Sequence, residues 1–291
     1  MKKIIITLIF GLVLFSDSSI AKQTKWKIGQ TYEGEINWKG KTKIVLPPGE
    51  FTLLHRFNWA SWGIWEKGLW LVETINGNTF HQNVSIYNVG SYKYIAYLRQ
   101  FYHSWLFNDP YDGCYQRNEY TLVKVKKGGF INCFWVGHED VQKELYSPDD
   151  PQSTSVYWKY YIEKYNLEYP RIILCTSHIL YSPTINEHVS IMSHCINPET
   201  HGASKSKFFT EESSEYHPGN IDKYPDKKKF MKEFVKRAAQ RHKIFEKGMR
   251  AKEHHKMDLS EYGAGDIVEE AKITSSNADI TVEIKELHEL Y

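Results

Sequence analysis

The chain has 291 residues, 37 basic against 35 acidic, for a formal net charge of +2. So even a balance supplies no field that would draw a polyanion, which argues against a nucleic-acid partner and against general binding to anionic membranes. The length suffices to bury a core as one domain or two, and the four cysteines make an even set.

The first element in chain order is an export signal. Lys2 and Lys3 precede a twelve-residue uncharged run over 4–15, and Ser19-Ile20-Ala21 places small residues where a signal peptidase reads. Residues 1–21 are therefore expected to be removed, leaving a mature protein in the periplasm or the extracellular medium. Twelve residues fall short of the roughly 20 that span a bilayer, and no later stretch is apolar enough. The mature chain is expected to carry no transmembrane segment.

The portion 22–150 reads as mainly antiparallel β. In the run 51–59, Phe51, Leu53, Phe57 and Trp59 alternate with polar residues, the period of a strand with one buried face. Asn76-Gly77 between two β-rich runs predicts a hairpin. A second hairpin centred on Gly128 would set Thr121, Val123 and Val125 beside Ile131, Cys133 and Trp135, with Cys133 turned into a core. Between the two, residues 91–107 space their large side chains as a helix does.

The portion 151–256 adds a helix after Ser153 or Thr154, a β-hairpin, a long loop over 198–224, and a basic helix beginning near Asp226. It is compatible with one domain shared with 22–150. The basic helix places Met231, Phe234, Val235, Ala238, His242, Phe245 and Met249 at spacings of three and four, so one face is apolar and His242 interrupts it. Residues 226–256 carry twelve Lys or Arg against four acids, and the tail 257–291 carries nine acids against two lysines, opposite signs that predict the tail folding back over the helix. The fold class is α+β: a mainly antiparallel β N-terminal portion, a disulfide-stapled β-hairpin, and a long C-terminal amphipathic helix with an acidic tail.

The richest stretch for chemistry runs from Cys175 to Cys195 and encloses His178, His188 and His194. Read as two strands with Cys175 opposite Cys195, it opposes Ser177 to Ser193, Ile179 to Ile191 and Tyr181 to Val189. His178 and His194 then fall on the other face. Alternate residues of a strand point to opposite sides, so one zinc ion cannot reach both thiols and both imidazoles. In an exported chain the cysteines are expected as disulfides, Cys175 with Cys195 and Cys114 with Cys133.

His178 and His194 remain candidates for a metal site, with His201 or His138 as a third ligand, or for a general base. Surface or hydrogen-bonded histidines are the simpler reading. Trp59, Trp62, Trp65 and Trp70 crowd into twelve positions, and flat rings grouped on a strand edge stack on sugars. Trp59, Trp62 and Trp65 are the ligand-binding candidates; filling a β core is the competing use of the same rings. The acidic and serine-rich run 208–217 lacks the sharp turn of a serine hydrolase and reads as a solvated loop. Phosphate-loop, dinucleotide, H-E-x-x-H, C-x-x-C and EF-hand patterns do not occur, and no cofactor is expected.

The reading is an exported binding or interaction protein, with a glycan or another envelope protein as ligand. The alternative is a secreted, metal-assisted hydrolase using the His178 and His194 face and the loop 198–224. Exposed tryptophans without a polar cleft fit the first; His178, His194 and an acid converging in one pocket fit the second.

Overall fold

A computed structural model of the chain describes residues 26–39, 42–61, 64–91, 120–127, 130–146, 154–181, 188–207, 210, 212–250, 271–276 and 279–284. The expected helix over 91–107 and the signal segment lie outside these residues, Ser91 excepted.

Twelve strands, three α-helices and one 3-10 turn, Ile221–Lys223, are described. The strands are β1 (Thr31–Tyr32), β2 (Glu35–Lys39), β3 (Thr42–Val45), β4 (Phe51–Ser61), β5 (Ile64–Ile75), β6 (Thr79–Ser91), β7 (Tyr120–Lys127), β8 (Phe130–Asp140), β9 (Ile172–Tyr181), β10 (His188–Ile196), β11 (Ala271–Ser276) and β12 (Asp279–Ile284). The helices are α1 (Val141–Tyr146), α2 (Thr154–Tyr165) and α3 (Pro225–Arg250). Eight strands form one sheet in the order β1-β4-β5-β6-β10-β9-β8-β7, and every pairing in it is antiparallel. The α+β class with an antiparallel sheet and a C-terminal helix is therefore observed. The hairpin β9–β10 is no appendage, because β10 pairs with β6 and joins the N-terminal strands to β8 and β7.

Local signals account for several elements. Asn76 and Gly77 have φ of 54° and 95°, the left-handed backbone that an Asn-Gly turn supplies between β5 and β6. Pro225 opens α3, where a missing N–H costs nothing, and Asp226 lies in its first turn rather than ahead of it. Asp140 accepts from the Gln142 N–H at 3.0 Å and from Nε and Nη2 of Arg171, at 2.6 and 2.9 Å, while Arg171 Nη1 donates to Gln142 Oε1, tying the start of α1 to the start of β9.

Both faces of the sheet are covered. Helices α1 and α2 lie on one, where Leu54, Trp70, Val72, Phe80, Trp135, Val141, Tyr161, Leu167 and Ile173 pack around the two cysteines Cys175 and Cys195. Helix α3 lies on the other. Its first half meets Phe134, Val136, Ile172, Leu174 and Ile196 through Met231, Phe234, Val235, Ala238 and Ala239. Its second half meets Leu53, Leu69, Leu71, Val84, Ile86, Leu180 and Met192 through Phe245 and Met249, with Ile36 and Ile44 of the small β2–β3 sheet closing over them. At ~25 cal/mol per Å² of apolar surface, these clusters supply the main driving force for the fold.

The expected register of the stapled hairpin is observed: Cys195 opposes Cys175, Ser193 opposes Ser177, Ile191 opposes Ile179 and Val189 opposes Tyr181. The sulfurs lie 2.14 Å apart, and the strands span Ile172–Tyr181 and His188–Ile196. Cys133 is fully buried and disulfide-bonded, while its expected partner Cys114 lies outside the described residues.

Bulges change two other expectations. Between β7 and β8, Cys133 opposes Lys124 rather than Val123, because one extra residue is accommodated between Thr121 and Val123. In β4 the register shifts between Leu53 and His55, so Phe51 and Leu53 face α3 whereas Leu54 and Phe57 pack on the α2 side. The single apolar face expected from Phe51 to Trp59 is thus divided between both sides of the sheet. In the acidic tail, β11 and β12 pair with each other, and residues 251–270 and 285–291 lie outside the description.

Candidate functional site

The helix-covered face of the sheet is not uniformly apolar. Between the two clusters under α3 runs a polar belt, contributed by Asn132 of β8, Thr176 and His178 of β9, His194 of β10 and Gln82 of β6, four adjacent strands. Arg241 and His242 of α3 cover it, between Ala239 of one cluster and Phe245 of the other. All seven side chains are buried, His178 completely. Burying polar groups without partners would cost about 1–3 kcal/mol each, so the partners decide what the belt is.

His194 has both ring nitrogens committed. Its Nε2 is 2.8 Å from Gln82 Oε1, which can only accept, so Nε2 carries the proton. Its Nδ1 faces Arg241, which can only donate, so Nδ1 is the acceptor. The neutral imidazole is fixed in one tautomer. Burial pushes its pKa well below the ordinary value, and the Arg241 charge pushes it further down. Gln82 in turn donates through Nε2 to Pro48 O at 2.9 Å and to Glu73 Oε2 at 2.5 Å. The acid of this chain therefore reaches His194 only through an amide.

His178 and His242 form the second half of the belt. His242 Nε2 donates to Asn132 Oδ1 at 2.6 Å, which leaves Nδ1 of the neutral ring as acceptor. His178 Nδ1 lies 3.3 Å from it and must donate, which leaves His178 Nε2 as an acceptor 3.2 Å from the Thr176 hydroxyl, which also lies 3.4 Å from His194 O. Protons are thus ordered from His178 through His242 to Asn132. Burial lowers both pKa values, that of His178 far and that of His242 to about 4.

The other histidines are placed apart. His201 stacks on His81 with centroids 4.0 Å apart and planes 6° from parallel, and its Nδ1 donates to Asn197 O at 2.9 Å. Burial, with the charges of His81, Arg237 and Arg241 adding to it, brings its pKa down to about 4. His138 meets His217 edge to face at 5.9 Å. The structure therefore distributes His178, His194, His201 and His138 among four different partners. Among the described residues the one group with metal-ligand proximity is Glu139, Cys175 and Cys195, and the two sulfurs there are bonded to each other.

The loop 198–224 is packed down. Glu215 pairs with Lys227 at 3.3 Å with both side chains almost fully buried, Lys227 also reaches Ser204 O, and Tyr216 and Ile221 enter the core. Ser213 and Thr210 bond each other at 2.7 Å in a local turn. No serine of this loop is held by a histidine in the bonds described.

Trp62 lies outside the described residues, and so do the side chains of Trp59 and Trp65. The backbone ladder opposes Trp59 to Glu66 and Ala60 to Trp65, which puts positions 59 and 65 on opposite faces of the β4–β5 hairpin. Trp70 is a core residue on the α2 side.

Residues the sequence reading did not single out for the site are Gln82, Asn132, Arg241 and His81. His81 is the extra residue of a bulge, since Glu73 opposes Gln82 and Thr74 opposes Phe80. This bulge sets His81 on the same side as Gln82, against His201. No protein-family model, curated protein or solved structure matches the chain.

Proposed function

We propose that the protein is exported, cut near Ala21, and works outside the cytoplasm as a binding protein whose ligand is a glycan or another envelope protein. The Cys175–Cys195 bond supports an oxidising compartment. No helix among the described residues is long and apolar enough to cross a membrane. The observation that carries the choice of binding over catalysis is the commitment of His178 and His194. Each is buried under α3 with both ring nitrogens spent on fixed partners, and neither touches an acid in the bonds described. A general base or a metal ligand needs a nitrogen lone pair open to its substrate or ion.

The ligand surface we assign to the stretch that carries Trp59, Trp62 and Trp65, between the end of β4 and the start of β5. Aromatic rings there would stack on sugars or on apolar side chains of a partner. The test is a glycan-array screen and an envelope pull-down with the exported protein, alongside Trp62→Ala. Loss of captured ligand with an unchanged melting temperature supports the reading. Hydrolysis of a glycan or ester panel that His194→Gln abolishes would replace it with the hydrolase.

A further inference from the structure

The sheet face that α3 covers carries a second polar row, one step beyond the apolar residues that Phe245 and Met249 meet. Ile86 opposes Leu69 and Met192 in that apolar row. Two residues further along each strand, Lys67, Asn88 and Ser190 stand side by side on β5, β6 and β10, with Asn58 of β4 next to Lys67 and Leu180 of β9 next to Ser190. Asn58 and Lys67 are exposed, whereas Asn88 and Ser190 are each only 2% exposed. Asn88 Oδ1 and Ser190 Oγ nevertheless make no hydrogen bond, to each other or to any neighbour among the described residues. Such unmade bonds cost about 1–3 kcal/mol each, and buried polar atoms in native proteins are nearly always paired, so this pair calls for a partner from outside the chain. In the next row toward the strand ends, Gly90 stands between positions 65 and 188, a tryptophan and a histidine. With strands about 4.8 Å apart, those positions are about 9.6 Å from each other, and the backbone between them carries no side chain. A bare strip of backbone therefore adjoins the two orphan polar groups.

We propose that Asn88 and Ser190 form the polar floor of a binding site for a neutral sugar ring, entered over Gly90 and bordered by position 65. This inference rests on the binding reading above and narrows its ligand to an uncharged pyranose. The chemistry selects that class. An amide oxygen accepts, a serine hydroxyl donates and accepts, and the hydroxyls of a sugar do both. Two adjacent sugar hydroxyls therefore match a cross-strand pair whose β-carbons lie about 5 Å apart. Neither Asn88 nor Ser190 carries a charge: an anion would call for a cationic donor, and a hard cation for more oxygens than two. A tryptophan, the residue at position 65, is of the type that packs against the C–H face of a sugar while its N–H stays available to a polar group.

The test uses the exported, disulfide-bonded protein with glucose, galactose, mannose and N-acetylglucosamine, and with glucuronic acid as the charged counterpart, read by saturation-transfer NMR and calorimetry. Saturable binding of at least one neutral sugar is expected. Ser190→Ala should weaken it roughly tenfold, the loss of one hydrogen bond, and should leave the melting temperature unchanged or higher because an unpaired buried hydroxyl is gone. Gly90→Val should fill the strip and abolish binding. Ser193→Ala, which removes a hydroxyl bonded to Ser177 on the opposite face of the sheet, should bind as the parent does. Failure of every neutral sugar to saturate, or a Ser190→Ala that binds as tightly as the parent, overturns the proposal, and the pair then holds only water. A preference for glucuronic acid that Lys67→Gln removes overturns the neutral class. Capture of an envelope protein without any sugar binding overturns this site and leaves the binding reading standing; so does a sugar that Ser190→Ala still binds and Trp62→Ala loses.

Discussion

His178 and His242 meet Nδ1 to Nδ1 at 3.3 Å across the interface between the sheet and α3. One of the two facing nitrogens carries a proton and the other receives it, so the contact suits neutral rings and turns repulsive when both are charged. Burial holds His178, His194 and His242 below their ordinary pKa in the folded protein, His242 at about 4. In the unfolded chain each returns to about 6.5.

Acid should therefore loosen α3 from the sheet. Between the two limits the unfolded chain binds more protons, so stability is full above about pH 6.5 and falls as pH drops toward 4. For His242 alone, the interval from 6.5 to about 4 corresponds to about 3 kcal/mol at the acid limit. Urea midpoints measured near neutrality and near pH 5 should differ, and His242→Gln should reduce the difference. Midpoints that coincide would remove the buried histidines as a source of acid sensitivity.

Removing the staple should cost stability without opening the hairpin. Cys175 and Cys195 are 20 residues apart, which gives about 3 kcal/mol by the loop-closure relation. In Cys175→Ser the released Cys195 thiol is 6% exposed, so it should react with iodoacetamide only after denaturant is added. Rapid labelling in the folded protein would mean that the strands separate once the bond is gone.

Gly49 should tolerate no side chain. Its φ is 138°, and a β-carbon there would stand 2.2 Å from Glu73 Oε2. Gly49→Ala should lower stability by roughly 1–3 kcal/mol, and adding Glu73→Ala should restore part of it by removing the clash while the backbone strain persists. Thermal melts of the single and double variants give the comparison; a double variant no better than the single would assign the whole loss to the backbone.

The pair Lys227 and Glu215 should be costly to break and cheaper to replace. Both are almost fully buried, and truncating either leaves the other charge without its partner. Lys227→Ala should cost about 3–5 kcal/mol, whereas Lys227→Met with Glu215→Leu should cost much less. A double-mutant cycle by chemical denaturation measures the difference, and additive losses would show that the pair contributes nothing as a pair.

The hairpin register was legible because it rests on two signals of the same period. Alternation of apolar residues and the need to oppose two cysteines select the same pairing, and the placement of His178 and His194 on the far face follows from it. What covers that face was not legible, since the partners of β10 and of the belt come from β6 and from α3, distant in sequence. A trace existed: His242 breaks the apolar stripe of α3 at the level where Thr176, His178 and His194 are polar on the strands. Matching polar breaks between a helix and a sheet would have suggested the belt. The bulges at His81 and in β4 carry no Gly or Pro to announce them, and each re-aims side chains that strict alternation would place elsewhere.

The seating of β10 between β6 and β9 sets the order in which this protein can be assembled. The bond from the Cys195 N–H to Asn83 joins residues 112 positions apart, whereas β9 and β10 meet within one short hairpin. As the chain emerges, β1, β4, β5 and β6 can pair early, but β6 then presents a bare edge to the surroundings until the residues after 188 arrive. A long-range closure of this kind is slow, because the entropy of the intervening loop is lost before the contacts form. Newly made protein should depend on escort by a holdase during that interval, and a mutation that delays β10 should appear as aggregation through β6 rather than as a lower melting temperature of the finished molecule.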